Sequence, residues 1–210
     1  MAADPLAILF GSPSRVKLLR FFLFNPSREY TFEDLSRRAR LVRRTARTEF
    51  NSLERAGIIK KKQSFIENPT TGKKVRATVY TLDTDFPELN ALQKFLFETA
   101  PINAPTLLKY LKPAGQLEFL VISGVFVREF EHRLDVMLAM KKLDEAKVET
   151  AIRGLEAELG LEIRFAAFTS SDLMYRIGMY DKLIRDVFDY NHDVVLDKLN
   201  AADEVRTSRR

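Results

Sequence analysis

The chain contains no cysteine and only two histidines among its 210 residues. Disulfide bonds and thiolate metal centres are therefore excluded, and so is a histidine-rich zinc site. Any metal ion would have to be held by carboxylate oxygens, which suit hard cations such as Mg²⁺. We predict no resident cofactor.

Long apolar runs are also missing, since none approaches the roughly 18 residues that a membrane-spanning helix needs. The N-terminal sequence "MAADPLAILFGSPSRVK" places an acid before a short apolar patch and lacks the basic start of a secretory signal. We therefore expect a cytoplasmic protein of one or two globular domains that does not bind membranes.

Charge is distributed unevenly along the chain. Residues 1–83 hold 17 Lys and Arg against 8 Asp and Glu, a balance of +9, whereas the remaining residues hold 17 against 21, a balance of −4. The first 83 residues are therefore the part expected to meet a polyanion.

Three helices are predicted in this basic region. Apolar spacings of three and four predict a helix from Leu6 to Phe24, broken near Ser12-Pro13, where the serine can cap a fresh helix and the proline can start it. A threonine followed by acids predicts a second helix over residues 32–38. A third is predicted over residues 43–56, ended by a glycine.

The third helix has two different faces. Ala46, Phe50 and Leu53 form one apolar stripe. The opposite face carries Arg43, Arg44, Thr45, Arg47, Thr48 and Asn51. Arginine can bind guanine edges or phosphates, asparagine reads adenine, and hydroxyls bind phosphate oxygens, so this face fits nucleic acid. The alternative is an ordinary solvated face.

A basic hairpin is predicted next, in "IIKKKQSFIENPTTGKKVRATVYTL", where two β-rich runs flank the turn Asn-Pro-Thr-Thr-Gly. Its cations are Lys60, Lys61, Lys62, Lys73, Lys74 and Arg76. At "FEDLSRRARLVRRTARTEFNSLERAGIIKKK" the chain resembles a winged helix-turn-helix domain of the bacterial transcription-regulator type, over about residues 5–83. The resemblance implies a recognition helix in the major groove of double-stranded DNA and a wing over the backbone or minor groove. Such domains also serve as protein-contact modules.

Residues 84–113 are predicted to form a helical linker. Its helix "FPELNALQKFLFET" carries an apolar stripe that packs either on the first domain or on a second copy of the chain. The stripe consists of Leu89, Leu92, Phe95 and Leu96. The second possibility is the basis for a homodimer hypothesis, because two DNA-binding domains on two half-sites multiply a modest affinity.

The rest of the chain predicts an α/β domain over residues 114–199 with a small mixed sheet, so that the whole chain is α+β. We predict, in chain order, a strand over 117–123, a strand over 134–140, a helix over 144–159, a strand over 162–168 and a helical segment over 173–188. At helical spacing Tyr175 and Met179 are predicted to lie in the core. Residues 200–210 are predicted to be a flexible tail.

At "VISGVFVREFEHRLDVMLA" this domain resembles the nucleotidyltransferase fold of the minimal, antitoxin-like kind. In active members Gly-Ser after the first strand holds the triphosphate, Asp-x-Asp on the second strand holds two Mg²⁺ ions, and a later strand adds a third carboxylate. The chain departs from this pattern, because Arg133 replaces the first acid and only Asp135 is kept. The third position falls near Glu162 or Arg164. A guanidinium beside Asp135 would repel Mg²⁺, so we predict that the domain is not an enzyme.

A remodelled pocket is the remaining functional interpretation of this region. Its candidate residues are Ser123, Gly124, Arg133, Asp135 and Arg164, which could bind a nucleotide or another anionic effector. The alternative is a structural ion pair between Arg133 and Asp135, two apart on one strand face.

Together these patterns predict a DNA-binding transcriptional regulator whose degenerate second domain acts as a sensor, a partner-binding module or a dimerisation module. Two alternatives stay open. One is an active nucleotidyltransferase that uses Asp135 and Glu162 to hold Mg²⁺. The other is an antitoxin-like protein that binds a toxin-like partner and autoregulates its operon.

Overall fold

The structure, a computed structural model, describes residues 5–67, 72–129 and 133–207. Within these residues the chain is mixed α+β, with ten α-helices, two short 3₁₀ helices and two small β-sheets. It divides into two compact units, the first comprising Met1–Ala100 with Glu156–Leu161 and the second Pro101–Leu155 with Glu162–Arg210. No helix in the described ranges is long and apolar enough to cross a membrane.

The first unit contains five helices and three strands before residue 100. These are α1 Pro5–Leu9, α2 Pro13–Phe24, β1 Tyr30–Thr31, α3 Phe32–Arg38, α4 Arg43–Arg55, β2 Ile59–Glu67, β3 Lys74–Leu82 and α5 Leu89–Thr99. The predicted break in the first helix is confirmed, and the Ser12 side chain caps α2 by accepting a hydrogen bond from the Arg15 backbone N–H at 3.3 Å. Thr31 caps α3 in the same way, accepting from the backbone N–H of Asp34 at 3.1 Å.

The first sheet has the strand order β1-β3-β2, and both pairings are antiparallel. The two long strands pair without a break from Ile59 opposite Leu82 to Glu67 opposite Lys74. Both strands of the predicted hairpin are therefore confirmed. Of the predicted turn, residues 68–71 lie outside the described residues.

The core of the first unit is built from apolar residues whose spacing of three or four places them on one face of each helix. Phe22, Leu35, Phe50 and Leu53 are buried there, and the rings of Phe22 and Phe50 meet edge to face at 6.0 Å. The apolar stripe of α5 joins this core, with Leu96 fully buried and Leu89 and Leu92 packed against it. Only Phe95 of that stripe is left exposed.

The second unit is organised around a four-stranded sheet with the order β6-β5-β4-β7. Its elements are α6 Ala104–Leu111, η1 Lys112–Ala114, β4 Leu117–Ile122, η2 Gly124–Val127, β5 Val136–Met140, α7 Glu145–Leu159, β6 Phe165–Thr169, α8 Ser170–Gly178, α9 Lys182–Asp189, β7 Asp193–Asp197 and α10 Ala201–Thr207. The residues of α7 after Leu155 are assigned to the first unit. β5 and β6 run parallel and the other pairs are antiparallel, so the sheet is mixed.

Several predictions for this unit are wrong. The strand expected over 134–140 begins only at Val136, so Arg133 and Asp135 precede it and do not share a strand face. Tyr175 and Met179 are not core residues, since they are 67% and 64% exposed.

The tail expected to be flexible contains α10, whose apolar side packs in the core of the second unit. Ala201, Ala202 and Val205 are buried in that unit's core. Asp197 caps this helix, because its carboxylate accepts hydrogen bonds from the backbone N–H groups of Ala201 at 3.1 Å and Ala202 at 2.9 Å.

Candidate functional sites

The exposed face of α4 is cationic from Arg43 to Asn51, and the one acid further along it, Glu54, is paired with Lys61 at 3.0 Å. All six residues predicted for nucleic-acid contact, Arg43, Arg44, Thr45, Arg47, Thr48 and Asn51, are exposed to solvent. The one acid in the middle of the helix, Glu49, points inward and is buried, and its carboxylate binds the Arg15 guanidinium at 2.8 Å. Burial of Glu49 therefore keeps a negative charge away from the arginine face.

Two of the arginines lie against an aromatic ring that the sequence analysis did not single out. The guanidinium carbon of Arg47 lies 5.0 Å from the centroid of the Phe32 ring, and that of Arg43 lies 5.8 Å away. A cation over a π face is attracted to the ring quadrupole and loses freedom of movement. The signal in the sequence was an aromatic residue opening the short helix before α4.

The arginines differ in their carboxylate partners. Arg43 lies 3.6 Å from the Glu33 carboxylate, and both side chains are largely exposed, so this contact is weak. Arg44 and Arg47 make no ion pair with any residue that the structure describes. Their guanidinium groups are therefore available to an external anion.

At the base of the hairpin, the three predicted lysines are already paired. Lys60 binds Asp83 at 3.0 Å, Lys61 binds Glu54 at 3.0 Å, and Lys62 binds Glu29 at 2.7 Å.

These pairs shift the titration of their members in the direction that ion pairing predicts. Hydrogen bonding to Asp83 raises the pKa of Lys60, and hydrogen bonding to Glu54 raises the pKa of Lys61. Lys62 and then Ser64 lower the pKa of Glu29 by hydrogen bonding to its carboxylate. A phosphate would therefore compete with a carboxylate for each of the base lysines.

The other end of the hairpin carries cations of a different kind. Lys73, Lys74 and Arg76 are exposed and make no ion pair with a residue in the described ranges. The one acid in β2 and β3 is Glu67, the Cα partner of Lys74. We call these three cations the tip cations, and Lys60, Lys61 and Lys62 the base lysines.

In the second unit, Asp135 is fully buried and its carboxylate is saturated with hydrogen bonds. Oδ1 accepts from the backbone N–H of Val125 at 3.0 Å and from Nη2 of Arg164 at 2.9 Å. Oδ2 accepts from the backbone N–H of Arg164 at 2.9 Å and from its Nε at 3.0 Å. A carboxylate offers about four acceptor positions, so these four donors leave none for a metal ion.

The cation beside Asp135 is Arg164 and not Arg133. The predicted pair between Arg133 and Asp135 is wrong, because Arg133 binds Asp186 at 3.0 Å on the surface. The reason is the extended link before β6, which aligns Arg164 with Asp135 so that the Asp135 N–H donates to the Arg164 carbonyl at 2.7 Å. Asp135 in turn raises the pKa of the Arg164 guanidinium through its hydrogen bonds.

Ser123 and Gly124 complete this arrangement. The Ser123 hydroxyl is buried and donates to the carbonyl oxygen of Leu134 at 2.6 Å, so it does not face a ligand. Gly124 has a φ of +54°, and a Cβ at this position would collide with the Asp135 carboxylate. Of the five predicted pocket residues, the structure therefore brings four together, around the ion pair between the buried Asp135 and Arg164, whose side chain is 43% exposed.

The described residues contain no group of three or more His, Cys, Asp or Glu side chains placed to hold a metal ion. No family model, curated protein or solved structure matches this chain. Functional inference for this protein therefore rests on its own residues.

Proposed function

We propose that this protein is a DNA-binding transcriptional regulator whose first unit is a winged helix-turn-helix domain. The observation that carries the proposal is the cationic face of α4, where Arg44 and Arg47 are exposed without a carboxylate partner among the described residues. The element order supports it, since a helix, a short strand, two helices and a hairpin follow one another in that order. In this proposal α4 enters the major groove and the hairpin is the wing.

The ion pairs of the hairpin cations support a smaller set of proposed DNA contacts than the sequence alone. Arg43, Arg44, Thr45, Arg47, Thr48 and Asn51 remain the candidates for the major groove. Among the hairpin residues, the tip cations are proposed to bind phosphates, because each can release counterions without first breaking an ion pair. The base lysines are proposed to contribute less, since each would exchange one anionic partner for another.

For the second unit we propose a nucleotidyltransferase-like domain that has lost catalysis. The support is the Asp135 carboxylate, whose acceptor positions are filled by donors from Val125 and Arg164. Two-metal phosphoryl transfer needs carboxylate oxygens free to hold Mg²⁺. Mg²⁺-dependent consumption of ATP by the wild-type protein would contradict this part of the proposal.

The roles left to this unit are those of a sensor, a partner-binding module or a dimerisation module. The apolar stripe of α5, which suggested a dimer seam, packs within the first unit, so it does not support the homodimer hypothesis. Sedimentation at micromolar concentration distinguishes monomer from dimer.

A second candidate function, antitoxin-like binding of a protein partner, is favoured by one observation. Tyr175, Met179 and Tyr180 are all more than half exposed at the end of α8. Aromatic residues and methionine are enriched in protein interfaces. Co-expression with the product of the neighbouring gene, with wild type compared against Tyr175→Ser plus Met179→Ser, tests this candidate, and equal recovery with both chains would remove it.

Fluorescence anisotropy tests the regulator proposal directly. The wild-type protein is titrated into the duplex upstream of its own gene and into a scrambled duplex across a salt series, with and without ATP and Mg²⁺. We expect a preference for the cognate duplex that persists as salt rises. A shift with ATP would indicate a nucleotide effector.

The matched variants are Arg44→Ala plus Arg47→Ala and, as a control, Arg153→Ala, an exposed arginine on α7 that pairs with Glu149. The double variant should lose about a hundredfold in affinity, the scale of two lost arginine contacts, and the control should bind like wild type. Equal, salt-sensitive binding of both duplexes by all three proteins would overturn the proposal.

A further inference from the structure

The hairpin carries an exposed aromatic ring among its unpaired cations. Phe65, on β2, is 73% exposed. Its Cα partner on β3 is Arg76, so the two side chains share one face of the hairpin. Lys74, two residues from Arg76, shares that face as well. An apolar ring therefore lies beside two cations that have no ion pair within the described residues.

The position of Phe65 along the hairpin separates it from the base lysines. Nearer the base, Gln63 and Thr78 share that same face and hydrogen bond to each other at 2.9 Å, and Lys61 is held by Glu54. At the Phe65 position the cross-strand neighbour is instead a cation without a carboxylate. Apolar surface and cations without an ion pair thus coincide at the tip half of the hairpin, where Glu67, the Cα partner of Lys74, is the one acid that β2 and β3 place on that face.

We propose that Phe65 is an apolar wedge that enters the minor groove of duplex DNA, while Lys74 and Arg76 contact the phosphates that flank it. This rests on the proposed DNA-binding function and adds a contact that carries no charge. Apolar side chains inserted from the minor groove contact sugars and partly unstack base steps. Charge complementarity selects DNA as the occupant, because a tip-to-tip contact with a second copy would bring Lys73, Lys74 and Arg76 against their own equivalents.

The first test separates the ring from the charges. Phe65→Ser should lower affinity for the cognate duplex about tenfold, the scale of one lost aromatic contact, without changing the slope of log K against log salt. Lys74→Gln plus Arg76→Gln should instead flatten that slope by about two units. Phe65→Leu, which keeps an apolar wedge, should recover part of the affinity. An unchanged affinity in Phe65→Ser would overturn the inference.

The second test measures directly whether DNA shields the side chain at position 65 from solvent. The chain contains no tryptophan, so Phe65→Trp introduces a single indole reporter. We expect the duplex to reduce quenching of this indole by acrylamide, and netropsin, which fills the minor groove, to restore quenching. Quenching unchanged by DNA would contradict the proposal, and so would protection that grows with protein concentration in the absence of DNA, which would indicate contact between copies.

The proposed regulator function and the proposed Phe65 wedge can be contradicted separately. If Arg44→Ala plus Arg47→Ala weakens binding and Phe65→Ser does not, the wedge is wrong and the regulator function stands. If the wild-type protein binds no duplex, the regulator function and the wedge both fall. Because Phe65 is exposed, Phe65→Ser should keep the circular dichroism spectrum and Tm of the wild type, which excludes unfolding as the cause of weaker binding.

Discussion

The arginines of α4 and the arginine beside Asp135 use the same side chain for opposite purposes. Arg44 and Arg47 face solvent without a carboxylate, whereas Arg164 gives three N–H groups, two from its side chain and one from its backbone, to a fully buried carboxylate. A cation can serve a ligand only when the protein has not already satisfied it. The comparison therefore supports our proposal of polyanion binding by the first unit, and it gives the Asp135–Arg164 pair of the second unit a structural role.

The largest expected effect comes from breaking that pair. Asp135→Asn removes the negative charge and leaves the Arg164 guanidinium and two backbone N–H groups with a poorer acceptor. We expect the free energy of unfolding of the second unit to fall by about 3 kcal/mol, because a buried partner of an ion pair is lost. Urea denaturation followed by circular dichroism measures it.

The control for this experiment is Asp186→Asn, which removes the carboxylate that Arg133 binds on the surface. Its effect should stay below about 1 kcal/mol, as for other exposed pairs. If Asp135→Asn were no worse than Asp186→Asn, the stabilising role of the pair between Asp135 and Arg164 would be wrong.

The next effect concerns the glycine that lets the chain pass the Asp135 carboxylate. Gly124→Ala places a methyl group against that carboxylate at a φ of +54°, so we expect a loss of about 2 kcal/mol in unfolding free energy. Gly178→Ala is the matched change, because Gly178 ends α8 with open space around it. Thermal denaturation should show a lower Tm for the first variant and an equal or higher Tm for the second.

A smaller effect on DNA affinity should distinguish the tip lysine Lys74 from the base lysine Lys61. Lys74→Gln should weaken binding to all duplexes alike by about threefold to tenfold and lower the salt slope by about one unit, since Lys74 is proposed to meet a phosphate. Lys61→Gln should change both much less, because Lys61 is held by Glu54. Anisotropy titrations at several salt concentrations report both values. Identical losses for the two variants would show that pairing does not decide which lysines reach DNA.

The smallest effect is expected from the ring beneath the arginines. Phe32→Leu removes the π face under Arg47 without touching DNA, so affinity should drop about threefold, the scale of one exposed cation–π contact. Phe32→Tyr keeps the face and should bind like wild type. Equal affinity for the leucine and tyrosine variants would mean that Phe32 does not position Arg47.

The elements that the sequence predicted well are those with local signals. Ser12 and Thr31 cap helices where their hydroxyl groups reach the first turn, and Gly57 follows α4 with a φ of +74°. Such caps depend on three or four neighbouring residues, so they can be recognised without knowledge of the fold.

The elements that the sequence missed depend on distant residues. The partner of Asp135 is 29 residues away, and only the alignment of two chain segments beside the sheet brings Arg164 to it. In the same way, α10 is short and polar on one side, and burial of Val205 in the core of the second unit stabilises it. Asp197, placed to cap that helix, was the signal that was available and overlooked.

The paired base lysines would act differently on the approach of the protein to DNA and on the contacts made once the two have met. From a distance, a lysine paired with a glutamate contributes no net charge. The attraction toward the proposed DNA partner would therefore follow the net charge of the first unit and be screened within about 8–10 Å. At contact, the proposed DNA complex would be held mainly by cations that are free to exchange water for phosphate. Removing Glu54 would raise the net charge of the first unit and also free Lys61, so in the proposed complex it should both speed association and slow dissociation.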